Sequence, residues 1–91
     1  MVVNPYIEHK LNNGKFLRVF KNDVLTEELV WHRDKHNRVV EVVEGIGWEL
    51  QFEDKLPQAL KQGGIYKIPA NTYHRIKRGE TDLVVKIEET L

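Results

Sequence analysis

The chain has 91 residues, of which 41% are hydrophobic and 31% are charged, and its 14 basic and 14 acidic residues leave no net charge. This length predicts one domain over residues 1–91, and the composition excludes a disordered chain. A zero net charge argues against a nucleic-acid partner. The absence of cysteine excludes disulfides, thiolate catalysis and cysteine-ligated zinc.

The N-terminal segment 1–5 lacks the charged region and the long apolar run of a signal peptide. No apolar stretch approaches the ~20 residues that cross a bilayer. We therefore expect a cytoplasmic protein that has no membrane partner.

Short segments with strand character alternate with turn signals along the chain. Segments 15–20 and 65–68 are rich in β-forming residues, and segments 48–53 and 82–87 place alternate apolar residues on one face. Segment 55–60 is ambiguous between a strand and a loop. No window keeps a helical period, so the pattern predicts an all-β barrel or sandwich of about eight or nine short strands.

Segment 39–43 is apolar on both faces except at Glu41. A strand that is covered on both sides has this composition. In a barrel this small the outer cover could be another subunit, so the segment predicts a homodimer.

Two stretches carry a recognisable spacing of histidines, glycines and proline. The first reads H-x-D, three residues, R, six residues, G, from His32 to Gly45. The second reads G, five residues, P-x-N-x-x-H, from Gly63 to His74. This spacing resembles the paired motifs of the cupin family, and it is also similar to small cupin-type proteins of tailed phages.

The resemblance implies an antiparallel double-stranded β-helix, or jelly roll, whose metal ligands carry over to His32 and His74. Asp34 stands where the family has its second histidine, and Arg38 stands where it has a glutamate. Asp34 is a chemically sensible replacement as a ligand, whereas Arg38 is not a ligand.

The residues themselves suggest a metal site. His32 and Asp34 are two positions apart on a strand end, so their side chains share a face, and His74 could complete the set. Two histidines and one carboxylate form the facial triad of non-haem iron enzymes, and the same groups suit manganese, nickel or zinc. The first hypothesis is therefore a metal-dependent protein that binds a small polar or anionic molecule, with oxygenase or isomerase chemistry as one form.

The alternative is a metal-free binding module. If Arg38 faces inward and pairs with Asp34, the pocket holds an ion pair and binds a sugar or organic anion through Arg38 and the histidines. An outward Arg38 favours the metal. A third hypothesis is a purely structural protein. The sequence does not decide whether the protein is an enzyme.

Three further residues are candidates for the ligand pocket. Trp48 is expected on the barrel interior, where it is either a wall for the ligand or ordinary core. Tyr66 is either a pocket hydroxyl or a core aromatic residue. His36 lies four residues after His32 and is either a substitute ligand or an exposed loop histidine, which is the more common case.

Overall fold

The computed structural model describes residues 6–23 and 29–90, and it contains eight strands in this part of the chain. A turn of 3-10 helix at Asn12–Gly14 lies between the first two strands. The strands are β1 (Ile7–Lys10), β2 (Lys15–Phe20), β3 (Asn37–Glu44), β4 (Glu49–Phe52), β5 (Gln58–Ala59), β6 (Ile65–Ile68), β7 (His74–Lys77) and β8 (Leu83–Thr90).

The strands form two antiparallel sheets. One has five strands in the order β1-β2-β8-β3-β6, and the other has three in the order β5-β4-β7. The predicted all-β jelly roll with eight or nine strands is confirmed. The ambiguous segment 55–60 contains the two-residue strand β5.

The inner faces of the two sheets supply the hydrophobic core. Alternate residues of β8 point inward, and Leu83, Val85 and Ile87 are all buried. In the three-stranded sheet Leu50 is buried and the neighbouring Phe52 is half-buried. The alternation seen in the sequence therefore assigned the inner faces correctly, because successive side chains of a strand point to opposite sides.

Strand β3 buries only one of its two apolar faces within the single chain. Val40 and Val42 are in the core, whereas Val43 is 47% exposed and Val39 is half-buried. Glu41 on the outer face lies 3.7 Å from Lys86 of the neighbouring strand β8. The homodimer that would cover this face stays a prediction.

Within the described ranges, no helix has the length and apolar character needed to cross a bilayer. The cytoplasmic location stays a prediction as well.

Candidate metal centre and cavity

Two histidines from distant parts of the chain meet at the start of β7. His32 and His74 form an isolated antiparallel bridge and exchange both backbone hydrogen bonds, with N–H to carbonyl distances of 3.0 and 2.9 Å. Residues paired in this way lie directly opposite each other, so their side chains emerge on the same face. The centres of the two imidazole rings are 4.4 Å apart.

Backbone carbonyl groups set the tautomer of both rings. Nδ1 of His32 lies 3.0 Å from the carbonyl oxygen of Val30, and Nδ1 of His74 lies 2.8 Å from that of Thr72. A carbonyl oxygen only accepts hydrogen bonds, so each Nδ1 carries the proton and donates it. In the neutral imidazoles the lone pair is therefore on Nε2.

Asp34 is brought to the histidines by the turn that precedes β7. The backbone N–H of Asn71, which has a left-handed φ of 60°, donates to the Asp34 carbonyl oxygen at 2.7 Å. Oδ2 of Asp34 then lies 3.5 Å from Nε2 of His74. One ligand atom from each of His32, Asp34 and His74 lies within 4.8 Å of the others. The structure thus brings together the three residues that the sequence predicted as metal ligands.

Burial keeps His74 neutral. The residue is 3% exposed, and removal from water lowers the pKa of its imidazole below the usual 6.5. The hydrogen bond to Thr72 and the charge of Asp34 raise the pKa, whereas His32 and Arg38 lower it further, and the loss of hydration is the largest effect. The Nε2 lone pair of His74 is therefore available near neutral pH.

Arg38 faces inward and lies between two carboxylates. Its Nη1 is 3.0 Å from Oδ2 of Asp34, and its Nε donates a hydrogen bond of 3.1 Å to Oε2 of Glu89. The distance to Asp34 is that of an ion pair, but the approach is misaligned. Oδ2 is buried, and no described residue places a donor in line with it. We therefore assign the directional hydrogen bond of Arg38 to Glu89, and an electrostatic contact to Asp34.

A cavity of about 380 Å³ adjoins the three candidate ligands. Its wall includes His32, Asp34, His74 and Arg38, together with a large apolar surface. The apolar lining is formed by Phe20, Leu29, Val30, Val40, Leu50, Leu60, Ile68, Ile76, Leu83, Val85 and Ile87. Small-molecule sites have this combination of an apolar wall and a few polar groups.

The three further pocket candidates have different positions. Tyr66 lines the cavity, and its hydroxyl accepts a hydrogen bond of 2.8 Å from the backbone N–H of Lys61. Trp48 is fully buried in the core, and its indole N–H donates to the Thr81 carbonyl oxygen at 2.6 Å. His36 is exposed. In the part of the chain that the structure describes, neither Trp48 nor His36 contributes to the cavity wall.

Among the cavity residues that the sequence did not predict, Arg18 is the charged one. Arg18 of β2 lies on the inner face of the five-stranded sheet and lines the cavity. The signal for it is the alternation of Phe16, Arg18 and Phe20, which places an arginine among inward aromatic residues.

Comparison with solved structures shows which fold this is. The chain is similar to an RmlC-like cupin family protein from Methanocaldococcus jannaschii, with a TM-score of 0.70 and 18% identity over 93% of this chain and 79% of that one. It is similar to a cupin-2 domain containing protein from Shewanella frigidimarina, with a TM-score of 0.67 and 23% identity over 93% of this chain and 79% of that one.

A third similar structure is a cupin domain from Bordetella pertussis, with a TM-score of 0.66 and 19% identity over 100% of this chain and 99% of that one. No protein-family model and no curated protein matches the chain. The similarity to phage proteins stays a prediction. The strand topology of the described residues and these structural likenesses together show that the chain has the double-stranded β-helix fold of small cupin-domain proteins.

Proposed function

We propose that this protein binds a divalent transition metal through His32, Asp34 and His74, and holds a small polar or anionic molecule in the adjoining cavity. One observation carries the proposal. Two imidazoles whose protons are committed to carbonyl groups stand beside a buried carboxylate oxygen that has no aligned donor among the described residues. Lone pairs gathered in this way need a cation or a proton between them.

The chemistry of this donor set fits a metal. Neutral imidazole and carboxylate are ligands for iron, manganese, nickel and zinc. The hydrogen bonds from both Nδ1 atoms to carbonyl oxygens are those that commonly orient metal-binding histidines. Metal–ligand bonds of about 2.1 Å place the ligand atoms of a facial or tetrahedral set about 3.0–3.4 Å apart, so atoms that lie within 4.8 Å of one another would move closer together around an ion.

A metal bound at this position would supply Lewis acidity and open coordination positions next to the cavity. Arg38, held by Glu89, would orient a carboxylate, phosphate or hydroxyl group of the bound molecule. The finer form of the proposal is an enzyme of the oxygenase or isomerase type. The apolar wall would hold the body of the substrate and exclude water from the reacting end.

A second candidate function rests on Arg38. An inward Arg38 that pairs with Asp34 favours a metal-free pocket. Nη1 of Arg38 does lie 3.0 Å from Oδ2 of Asp34. The guanidinium would then be the cation that balances Asp34. In that case Arg38, His32 and His74 would bind a sugar or an organic anion by hydrogen bonding.

Elemental mass spectrometry on untagged protein separates the two candidates. We expect near-stoichiometric metal in the native protein and its loss in His74→Ala. His9→Ala is the matched control, because His9 is an exposed histidine on β1. The control should keep its metal. No bound metal after incubation with iron, manganese, nickel and zinc would contradict the metal centre and leave the metal-free pocket as the better account.

A further inference from the structure

Arg18 is a charged residue between Phe16 and Phe20 on the inner face of β2. It pairs with Val85 across β2 and β8 and with Glu8 across β1 and β2, and its side chain is 13% exposed. Burying an arginine this far is unfavourable unless its charge and its donors find partners. The contacts of its guanidinium group therefore indicate the role of the Arg18 side chain.

Aromatic rings and one carboxylate hold the guanidinium group in place. Its central carbon lies 4.1 Å from the centre of the Tyr6 ring and 5.1 Å from that of Phe16, and its Nε donates to Oε1 of Glu8 at 2.8 Å. Cation–π contacts of this kind attract a guanidinium group to an aromatic ring. The two rings and the carboxylate therefore favour the observed position of the side chain.

The described residues use few of the donors of Arg18. A guanidinium has five N–H donors, and only the one on Nε is used by a described residue. The two terminal nitrogens carry the other four, and Arg18 lines the cavity. A pair of terminal N–H groups matches the two oxygens of a carboxylate, which can bind to them side by side.

The charges around the cavity depend on whether a metal is bound. Arg18 and Arg38 both have their guanidinium carbons within 6.0 Å of the Phe16 ring centre, so two positive charges share this end of the barrel. Two guanidinium groups stand beside three carboxylates: Arg18, Arg38, Glu8, Asp34 and Glu89. The net charge of these five groups is negative without a metal, and a divalent cation at Asp34 would make that net charge positive.

We infer that Arg18 is an anion-binding residue, and that the molecule in the cavity is a carboxylate with an apolar body. The carboxylate binds the terminal nitrogens of Arg18, the apolar part lies along the wall formed by residues such as Val85 and Leu50, and the other end reaches His32 and His74. The placement of that other end and the positive net charge of the cavity rest on the proposed function, whereas the contact between the carboxylate and Arg18 does not. A cavity of about 380 Å³ is at the small end of the range for small-molecule sites, about 300–1,000 Å³.

The test uses hexanoate and its neutral counterpart hexanamide as probes in ¹H–¹⁵N NMR titrations, with and without added zinc. The proteins are the native chain, Arg18→Met, Arg18→Lys, Arg38→Met and the matched control Arg33→Met. Arg33 is an exposed arginine that stacks 5.2 Å from the Tyr73 ring, outside the cavity wall. Thermal melts show whether each variant is folded, and Arg18→Lys keeps the charge if Arg18→Met does not fold.

We expect the native protein to bind hexanoate about tenfold or more tightly than hexanamide, since bonds to a charged group are the stronger ones. Arg18→Met should remove this preference and leave hexanamide binding unchanged. Arg18→Lys should keep part of it, because the lysine retains the charge but not the paired donors. Arg33→Met should bind as the native protein does, and added zinc should tighten hexanoate binding.

The inference would be overturned if hexanoate did not bind, if hexanoate and hexanamide bound equally well, or if both Arg18 variants kept the native preference. A preference lost only in Arg38→Met would place the carboxylate at the metal centre instead, and would also overturn it. If zinc does not bind but the preference still depends on Arg18, the proposed function fails and this inference stands. If zinc binds and the preference does not depend on Arg18, the proposed function stands and this inference fails.

Discussion

Arg38→Gln removes a positive charge whose Nη1 lies 3.0 Å from Oδ2 of Asp34. In the native protein a metal at Asp34 must share that oxygen with the guanidinium and tolerate its charge. The substitution removes both the competition for Oδ2 and the repulsion between the two cations. It keeps a polar side chain that can still form a hydrogen bond with Glu89. We therefore expect Arg38→Gln to bind a divalent metal more tightly than the native protein.

The magnitude follows from the charges and their exposure. Two unit charges about 4 Å apart interact by about 1 kcal/mol in water and about 4 kcal/mol at an effective dielectric constant of 20, and a divalent ion doubles these values. The side chains of Arg38 and Asp34 are 12% and 16% exposed, and the nearby Glu89 offsets part of the arginine charge. We take the lower limit, about 2 kcal/mol, which corresponds to a gain of roughly 30-fold in metal affinity.

The same variant should be less stable without metal. It leaves Asp34 and Glu89 without their cation, and breaking a buried pair costs about 3–5 kcal/mol. Partial exposure reduces this to about 2 kcal/mol, which lowers Tm by roughly 8–16 °C in a domain of this size. Saturating zinc should then raise the Tm of Arg38→Gln by more than it raises that of the native protein.

Competition with a chromophoric zinc chelator measures the affinity, and calorimetric melts measure the stability. Arg33→Gln is the matched control, because it removes an exposed arginine one position before Asp34. It should change neither quantity. Zinc affinity in Arg38→Gln that equals or falls below the native value would refute the idea that Arg38 and a metal compete for Asp34.

Three further predictions concern the fold, its pH dependence and its assembly. Gly79→Ala should cost about 2–3 kcal/mol and lower Tm by roughly 8–24 °C, since a Cβ there would meet the Ile46 carbonyl oxygen and lie 2.5 Å from the Trp48 backbone nitrogen. An unchanged melting temperature would contradict this. In metal-free protein the free energy of unfolding should fall as pH drops below about 6.5, because His74 takes up a proton there in the unfolded chain, whereas burial lowers its pKa in the fold. Chemical denaturation at several pH values should show that this free energy depends less on pH in His74→Gln. The outer face of segment 39–43 should be covered in a homodimer, and a monomeric mass by light scattering at micromolar concentration would count against it.

The ligand residues could be predicted because local spacing constrains them strongly. Asp34 two positions after His32 must share its face, and the turn before His74 is marked by its proline and asparagine. Arg38 was recognised as the decisive departure, but its direction was open, because it depends on the contact with Glu89 of β8. For Trp48, the alternation of apolar residues predicts a side chain inside the barrel, but it does not distinguish a core residue from a residue of the cavity wall.

Strand character, the inward faces of β4 and β8, and the shared face of His32 and Asp34 could be predicted from the sequence alone, and the resemblance to the cupin motifs added His74. Each of these follows from the period of two along a strand or from motif spacing within a few residues. The three-dimensional structure was needed to show that His32 pairs with His74, and that Arg18 and Arg38 approach the same phenylalanine ring. These contacts join residues far apart in the chain, so they depend on strand order and register, which no local pattern contains.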